Sequence, residues 1–148
     1  MNISEIFNPE GDGSEDDGTL YSLSDEFLEA ARVLQDTPPV RVTFSSAAYY
    51  LLGHSAELML KAFLYKRGLS IAELTKIRHD LKKLVKRAKE NGLPKTVHLQ
   101  QVLKLADTYK NKCFEYRTQQ RIAVPSLELL TEEIESLQSV VFDNIWQT

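Results

Sequence analysis

"GHSAELMLKAFLYKRG", residues 53–68, decides the fold, because it belongs to a helix that is apolar on nearly every side. Placed at about 100° per residue, Leu51, Leu52, Ala56, Leu58, Met59, Leu60, Ala62 and Phe63 spread over most of the circumference. A helix of that kind sits at the centre of a bundle, covered by its neighbours. One narrow stripe breaks the pattern: Ser46, Tyr50, His54, Glu57 and Lys61 line up along a single side. Glu57 precedes Lys61 by four residues, the favourable order for an ion pair within a helix. His54 lies one turn before Glu57 and is placed to donate to it. Charges inside a core require partners, so this stripe either marks the helix's outlet to solvent or belongs to a satisfied polar network. A sharper alternative is a functional cleft lined by His54, Glu57 and Lys61, with a cation such as Arg117 brought in from elsewhere in the chain.

Working outward, the central helix is predicted from about Val42 to Arg67, with Gly68 as a left-handed terminator. Upstream, "SLSDEFLEAARVLQ" offers Ser22 or Ser24 as a cap, with Asp25 and Glu26 in the first turn, and "DTPP" at 36–39 stops it. Downstream, "SIAE" at 70–73 is a capping box opening a helical segment that either runs on to "NGLP" at 91–94 or breaks near Arg78–His79. Thr96 is the expected cap of a further helix to about Lys112. The stretch 113–124 is the least helical, and Pro125–Ser126 begins a last helix with Leu127, Leu130, Ile134, Leu137 and Val141 on its buried seam. With no strand pair in sight, the expectation is an all-α fold, a helical bundle.

Residues 1–18 are acidic and glycine-rich with few apolar side chains, which predicts a flexible tail ahead of a single helical domain over 19–148. The chain has 148 residues, enough for one core without cross-links, and its one cysteine, Cys113, fits a reducing, cytoplasmic setting. The start has neither the basic nor the apolar region of a signal peptide. The longest uncharged stretch of the helical middle, 42–56, is too short to span a bilayer, so no membrane is expected. The formal net charge of −3 conceals strong segregation. Residues 1–20 carry six acids and no base, whereas residues 61–121 carry sixteen bases against five acids.

That basic middle has a distinct face. In "KIRHDLKKLVKRAKE", Ile77, Leu81, Leu84, Val85 and Ala88 are apolar on one side, and Lys76, Arg78, Lys82, Lys83, Lys86, Arg87 and Lys89 fill the rest. Such a surface suits phosphate backbones without base readout, since no aromatics are interleaved. The competing reading is a solvated face, or one docked on Glu128, Glu132, Glu133 and Glu135 of the last helix or of a second subunit. His79–Asp80 reads as a helix start, with Asp80 complementing the helix dipole and His79 capping or bridging helices. No nucleophile stands at usable spacing from either histidine. His54 and Glu57 lack a second histidine at helical spacing, so no metal and no other cofactor is expected.

"GHSAELMLKAFLYKRG", "IRHDLKKLVKRAKENGL" and "LADTYKNKCFEYRTQQRIAVPSLELL" together resemble, in order and spacing over roughly residues 40–130, the HEPN superfamily of helical domains. The resemblance implies a four- to five-helix up-and-down bundle, often a homodimer, in nucleotide- or RNA-related settings: partners of nucleotidyltransferases, toxin–antitoxin pairs and phage defence. Many members are metal-independent ribonucleases with an arginine followed, after four to six residues, by a histidine. No arginine of this chain has a histidine at that distance. The resemblance therefore implies a non-catalytic interaction module. It would form a homodimer and bind an antitoxin- or nucleotidyltransferase-type protein, a nucleotide or RNA. The alternative is a divergent metal-independent ribonuclease using His54 or His79 with Arg117 and Arg121 in a dimer cleft. Arg117 is the arginine that matches the family's last motif.

Overall fold

The computed structural model describes residues 16–37, 46–112 and 124–146. Among them are six helices and no strand: α1 (Asp17–Asp36), α2 (Ser46–Lys66), α3 (Ile71–Ile77), α4 (Leu81–Glu90), α5 (Gln100–Lys110) and α6 (Leu127–Trp146). None of these helices is long and apolar enough to cross a membrane. The nearly uniform apolar surface of α2 has the expected consequence, since α2 packs against all five other helices. Its Leu52, Ala56, Met59, Leu60 and Phe63 are fully enclosed.

Cross-contacts set the directions. Ser24 of α1 meets Ser55 of α2, and Lys66 at the end of α2 faces Asp17 at the start of α1, so these two run antiparallel. Gln138 reaches Asp25 and Gln35 reaches Thr131, which makes α6 antiparallel to α1. The short α3 turns back from Gly68, α4 returns, and Lys82–Asp107 and Lys110–Asp80 pairs hold α5 antiparallel to α4. Successive helices thus alternate in direction as an up-and-down bundle, with six helices among the described residues where four to five were expected, because the 70–90 segment is split in two.

Local signals explain most boundaries. Ser70 and Glu73 form the reciprocal capping box of α3, and Gly68 takes φ 106°, the left-handed conformation that closes α2. The 70–90 segment is broken rather than continuous. Arg78 adopts φ 55°, ψ −128°, and the Asp80 N–H donates to the Ile77 carbonyl at 3.3 Å. This is the geometry of a tight type II′ turn, whose first central position normally favours glycine. Asp80 then caps α4 by accepting from the Lys83 N–H at 3.1 Å. The expected seam of α6 is buried at Leu130, Ile134, Leu137 and Val141, and half-buried at Leu127.

Two expected caps are corrected. α1 starts at Asp17, ahead of the anticipated domain start at Thr19, with Asp16 accepting from the Thr19 N–H at 2.7 Å. Ser24 is no cap: it is fully buried, donating to the Ser55 carbonyl at 2.6 Å while Ser55 Oγ donates to the Ser24 carbonyl at 2.9 Å. Two serines can satisfy each other in this way only where helices approach closely, so their hydroxyls serve packing. Thr96 does not cap α5, which begins at Gln100. Glu133 of α6 takes that role, accepting from the Gln101 N–H at 2.9 Å and the Val102 N–H at 3.2 Å. A carboxylate at these orphan amides also complements the helix dipole.

Candidate functional site

The polar stripe of α2 is a network closed by other elements. Glu57 is only 2% exposed, and both of its oxygens are occupied. Oε2 accepts from Lys61 Nζ at 2.8 Å, the intrahelical pair expected from the four-residue spacing. Oε1 accepts from the Tyr109 hydroxyl of α5 at 2.7 Å and from His79 Nδ1 at 2.7 Å. His54 Nδ1 lies 3.0 Å from the Tyr109 hydroxyl and 4.0 Å from Glu57 Oε1. One carboxylate therefore ties α2 to α5 and to the turn between α3 and α4.

Proton counting fixes the donors. A phenol has one proton, and Tyr109 gives it to the Glu57 carboxylate. The contact between His54 and Tyr109 must then be donated by His54 Nδ1–H. His79 also donates from Nδ1, because an ionised carboxylate only accepts. Each imidazole thus has its Nδ1–H engaged by a partner, which fixes the orientation of the ring.

Burial would raise the Glu57 pKa, but the Lys61 charge and the hydrogen bonds from Lys61, His79 and Tyr109 outweigh it. The carboxyl sits below its ordinary value. Asp80 is also lowered: burial opposes this, and the Lys83 N–H together with the Lys110 ammonium overcomes it.

Packing sets the geometry as firmly as charge does. Gly53 lies in the middle of α2, and a Cβ there would come within 2.7 Å of Tyr109 Cε1, far inside contact distance. Only glycine lets the Tyr109 ring rest on the helix backbone and aim its hydroxyl at Glu57, one turn along. Phe27 of α1 meets the His54 ring edge-on at 4.5 Å, and Tyr50 stacks on it at 5.9 Å. His79 packs edge-on to Tyr109 at 6.1 Å. Its side chain is 48% exposed, while that of Lys61 is only 13% exposed.

The structure thus brings together four of the sequence-predicted residues, Tyr50, His54, Glu57 and Lys61, and adds His79, which the sequence placed as a cap or bridge between helices and as a residue of the alternative ribonuclease reading. Tyr109 and Gly53 were missed. A glycine inside so strongly helical a segment was the available signal, since it marks a close approach. Arg117, the cation expected beside Glu57, and Arg121 lie outside the described residues, as does Cys113.

The basic face is real and largely unneutralised. Lys76, Arg78, Lys82, Lys83, Lys86, Arg87 and Lys89 are all exposed. Lys82 pairs with Asp107 at 3.0 Å; among the described residues none of the other six has a carboxylate within ion-pair distance. Docking of this face on the last helix of the same chain is not what occurs. Glu133 instead caps α5, and Glu135 faces Arg32 at 3.6 Å. Compared with protein-family models, with curated proteins and with solved structures, the chain matches none.

Proposed function

We propose that this chain is a HEPN-like interaction module that binds RNA, or a shorter nucleotide polyanion, through the exposed face of α4. The observation that carries this reading is the cluster Lys83, Lys86, Arg87 and Lys89 on one ten-residue helix, flanked by Lys76 and Arg78, without carboxylate partners among the described residues. Held on a helix whose Leu81, Leu84, Val85 and Ala88 are buried, these cations form a fixed array rather than a loose tail. Binding by such an array is electrostatic and reads no bases. Homodimer formation and a protein partner of nucleotidyltransferase or antitoxin type belong to the same proposal and rest on the sequence resemblance.

A salt-titrated binding measurement with short single-stranded RNA tests it. Each phosphate neutralised contributes roughly 0.7 to the slope of log K against log salt. Replacing Lys83, Lys86 and Lys89 by glutamine is expected to flatten that slope by about 2. Absence of binding by the unmodified protein at low salt overturns the proposal.

A second reading, a ribonuclease working through His54 and His79, is favoured by one observation. Two imidazoles have Nδ1 engaged by Tyr109 and Glu57, an arrangement that orients Nε2 for proton transfer. Its test is cleavage of mixed RNA in the presence of chelator. Cleavage that persists there and disappears in His79→Asn establishes it; intact RNA removes it.

A further inference from the structure

The chain has three histidines, and the fold gives each a different setting. His54 is enclosed by Phe27 and Tyr50, with the Tyr109 hydroxyl at its Nδ1. His98 is exposed and has no hydrogen-bond partner among the described residues. Only His79 combines access with a carboxylate: its side chain is 48% exposed, and its Nδ1 donates to Glu57 Oε1 at 2.7 Å. Because that carboxylate is buried, the exposed part of the ring is the edge away from it, where Nε2 lies. Nε2 has no partner among the described residues. In the neutral ring, a proton held on Nδ1 leaves the lone pair on Nε2. The surroundings are cationic. Lys76 lies in the last turn of α3, Arg78 precedes the histidine, and Lys83 lies in the first turn of α4. All three are exposed and without a carboxylate partner among the described residues. The neighbouring Asp80 is committed elsewhere, accepting from the Lys83 N–H at 3.1 Å and from Lys110 Nζ at 3.3 Å. An accessible imidazole backed by a buried carboxylate and flanked by unpaired cations is arranged to take up a dianionic group.

We propose that His79 accepts a phosphoryl group on Nε2 from a donor of the phosphoramidate class. Nε2 attacks phosphorus with its lone pair, and the new N–P bond forms as the donor's own P–N bond breaks. The donor nitrogen, already protonated in its zwitterion, leaves as neutral amine with the electrons of that bond. The ring keeps its Nδ1 proton and becomes cationic, and the Glu57 carboxylate 2.7 Å away balances that charge. Lys76, Arg78 and Lys83 offset the roughly two negative charges of the bound phosphoryl group. No proton changes hands, and nothing is oxidised or reduced. His79 acts here as a nucleophile, so the proposal stands apart from RNA binding and from proton transfer in a ribonuclease. Glu57 is the positioning residue, acting through the imidazole.

The test incubates the full chain with potassium phosphoramidate at about pH 8, where an ordinary imidazole is neutral. Mass spectrometry follows phosphorylation at each histidine, and phosphorus magnetic resonance identifies the nitrogen that carries the group. His98, exposed but without a carboxylate, is the internal standard. His79 is expected to react about tenfold faster than His98 and to carry the group on Nε2. Glu57→Gln should bring the rate at His79 down about tenfold, to that of His98, while the rate at His98 stays the same. Lys76→Gln/Lys83→Gln leaves the buried network intact and should slow His79 about two- to threefold at low salt, with the difference lost at about 0.5 M salt. Equal rates at His79 and His98 in the unaltered chain overturn the proposal. So do phosphorylation on Nδ1, an unreactive His79, or a rate at His79 that Glu57→Gln leaves unchanged. If circular dichroism shows Glu57→Gln unfolded, the rate ratio and the nitrogen modified in the unaltered chain decide the matter.

Discussion

Replacing Glu57 by alanine removes the acceptor for three donors at once, and the structure sets the size of the loss. A hydrogen bond to a charged group contributes roughly 1.5–3 kcal/mol, and the desolvation of any stranded partner adds to it. His79 is half exposed and recovers water, so it counts little. Tyr109 is buried and Lys61 nearly so; two such contacts at the lower figure give about 3 kcal/mol. In a domain of this size that corresponds to a fall in melting temperature of roughly 6–12 °C. Urea unfolding followed by circular dichroism gives the free energy directly, and an unchanged slope would show that only stability has altered. The double variant Glu57→Leu/Lys61→Leu sharpens the test. It leaves no unpaired charge, so it should cost less than Glu57→Ala alone, because buried ion pairs often exchange for apolar groups at little net cost. A loss for Glu57→Ala below about 0.5 kcal/mol would refute the idea that this carboxylate organises the core.

Gly53→Ala forces a methyl group into the Tyr109 ring and should destabilise by about 1–3 kcal/mol, with partial recovery in Gly53→Ala/Tyr109→Leu; additivity in the double variant would deny the contact. Acid unfolding follows from Glu57 and Asp80, both lowered in the folded chain. Their contribution is complete above the ordinary carboxyl pKa and is lost as pH falls through the lowered values. Stability should therefore drop below about pH 4, and Glu57→Gln should flatten that drop in urea titrations run across the range. Glu133→Ala should cost about 1 kcal/mol and speed hydrogen exchange at Gln101 and Val102, the amides it now accepts from; unchanged exchange would contradict the cap. Arg78→Gly should stabilise by about 0.5–1 kcal/mol, because glycine takes the turn conformation without strain; a loss would mean the arginine side chain contributes more than its backbone costs.

What could be read from the sequence followed from local physics. The all-round apolar character of α2, the Ser70–Glu73 box, the glycine after α2 and the seam of α6 are encoded within a turn or two of the chain. The Glu57–Lys61 pair was legible for the same reason, being one turn apart. Partners supplied across the bundle were not. Nothing near Tyr109 states that its hydroxyl ends on Glu57, and nothing near Gln101 states that a carboxylate thirty-two residues later will accept from it. Ser24 misled for a related reason. A serine before an acidic turn looks like a cap, and only the closeness of α1 to α2 reveals a packing role. Arg78 was the ambiguous case: no glycine or proline marks the break, which is maintained by a strained arginine between two well-capped helices.

The cap that Glu133 places on α5 has a temporal consequence. During synthesis Gln101 and Val102 leave the ribosome well before Glu133 does, so the first turn of α5 spends that interval with its amides turned to water. The helix acquires its proper beginning only when α6 arrives. Completion of α5 is thereby deferred until α6 is made, and a nascent chain halted before residue 133 would carry a frayed α5 whatever its other helices had achieved.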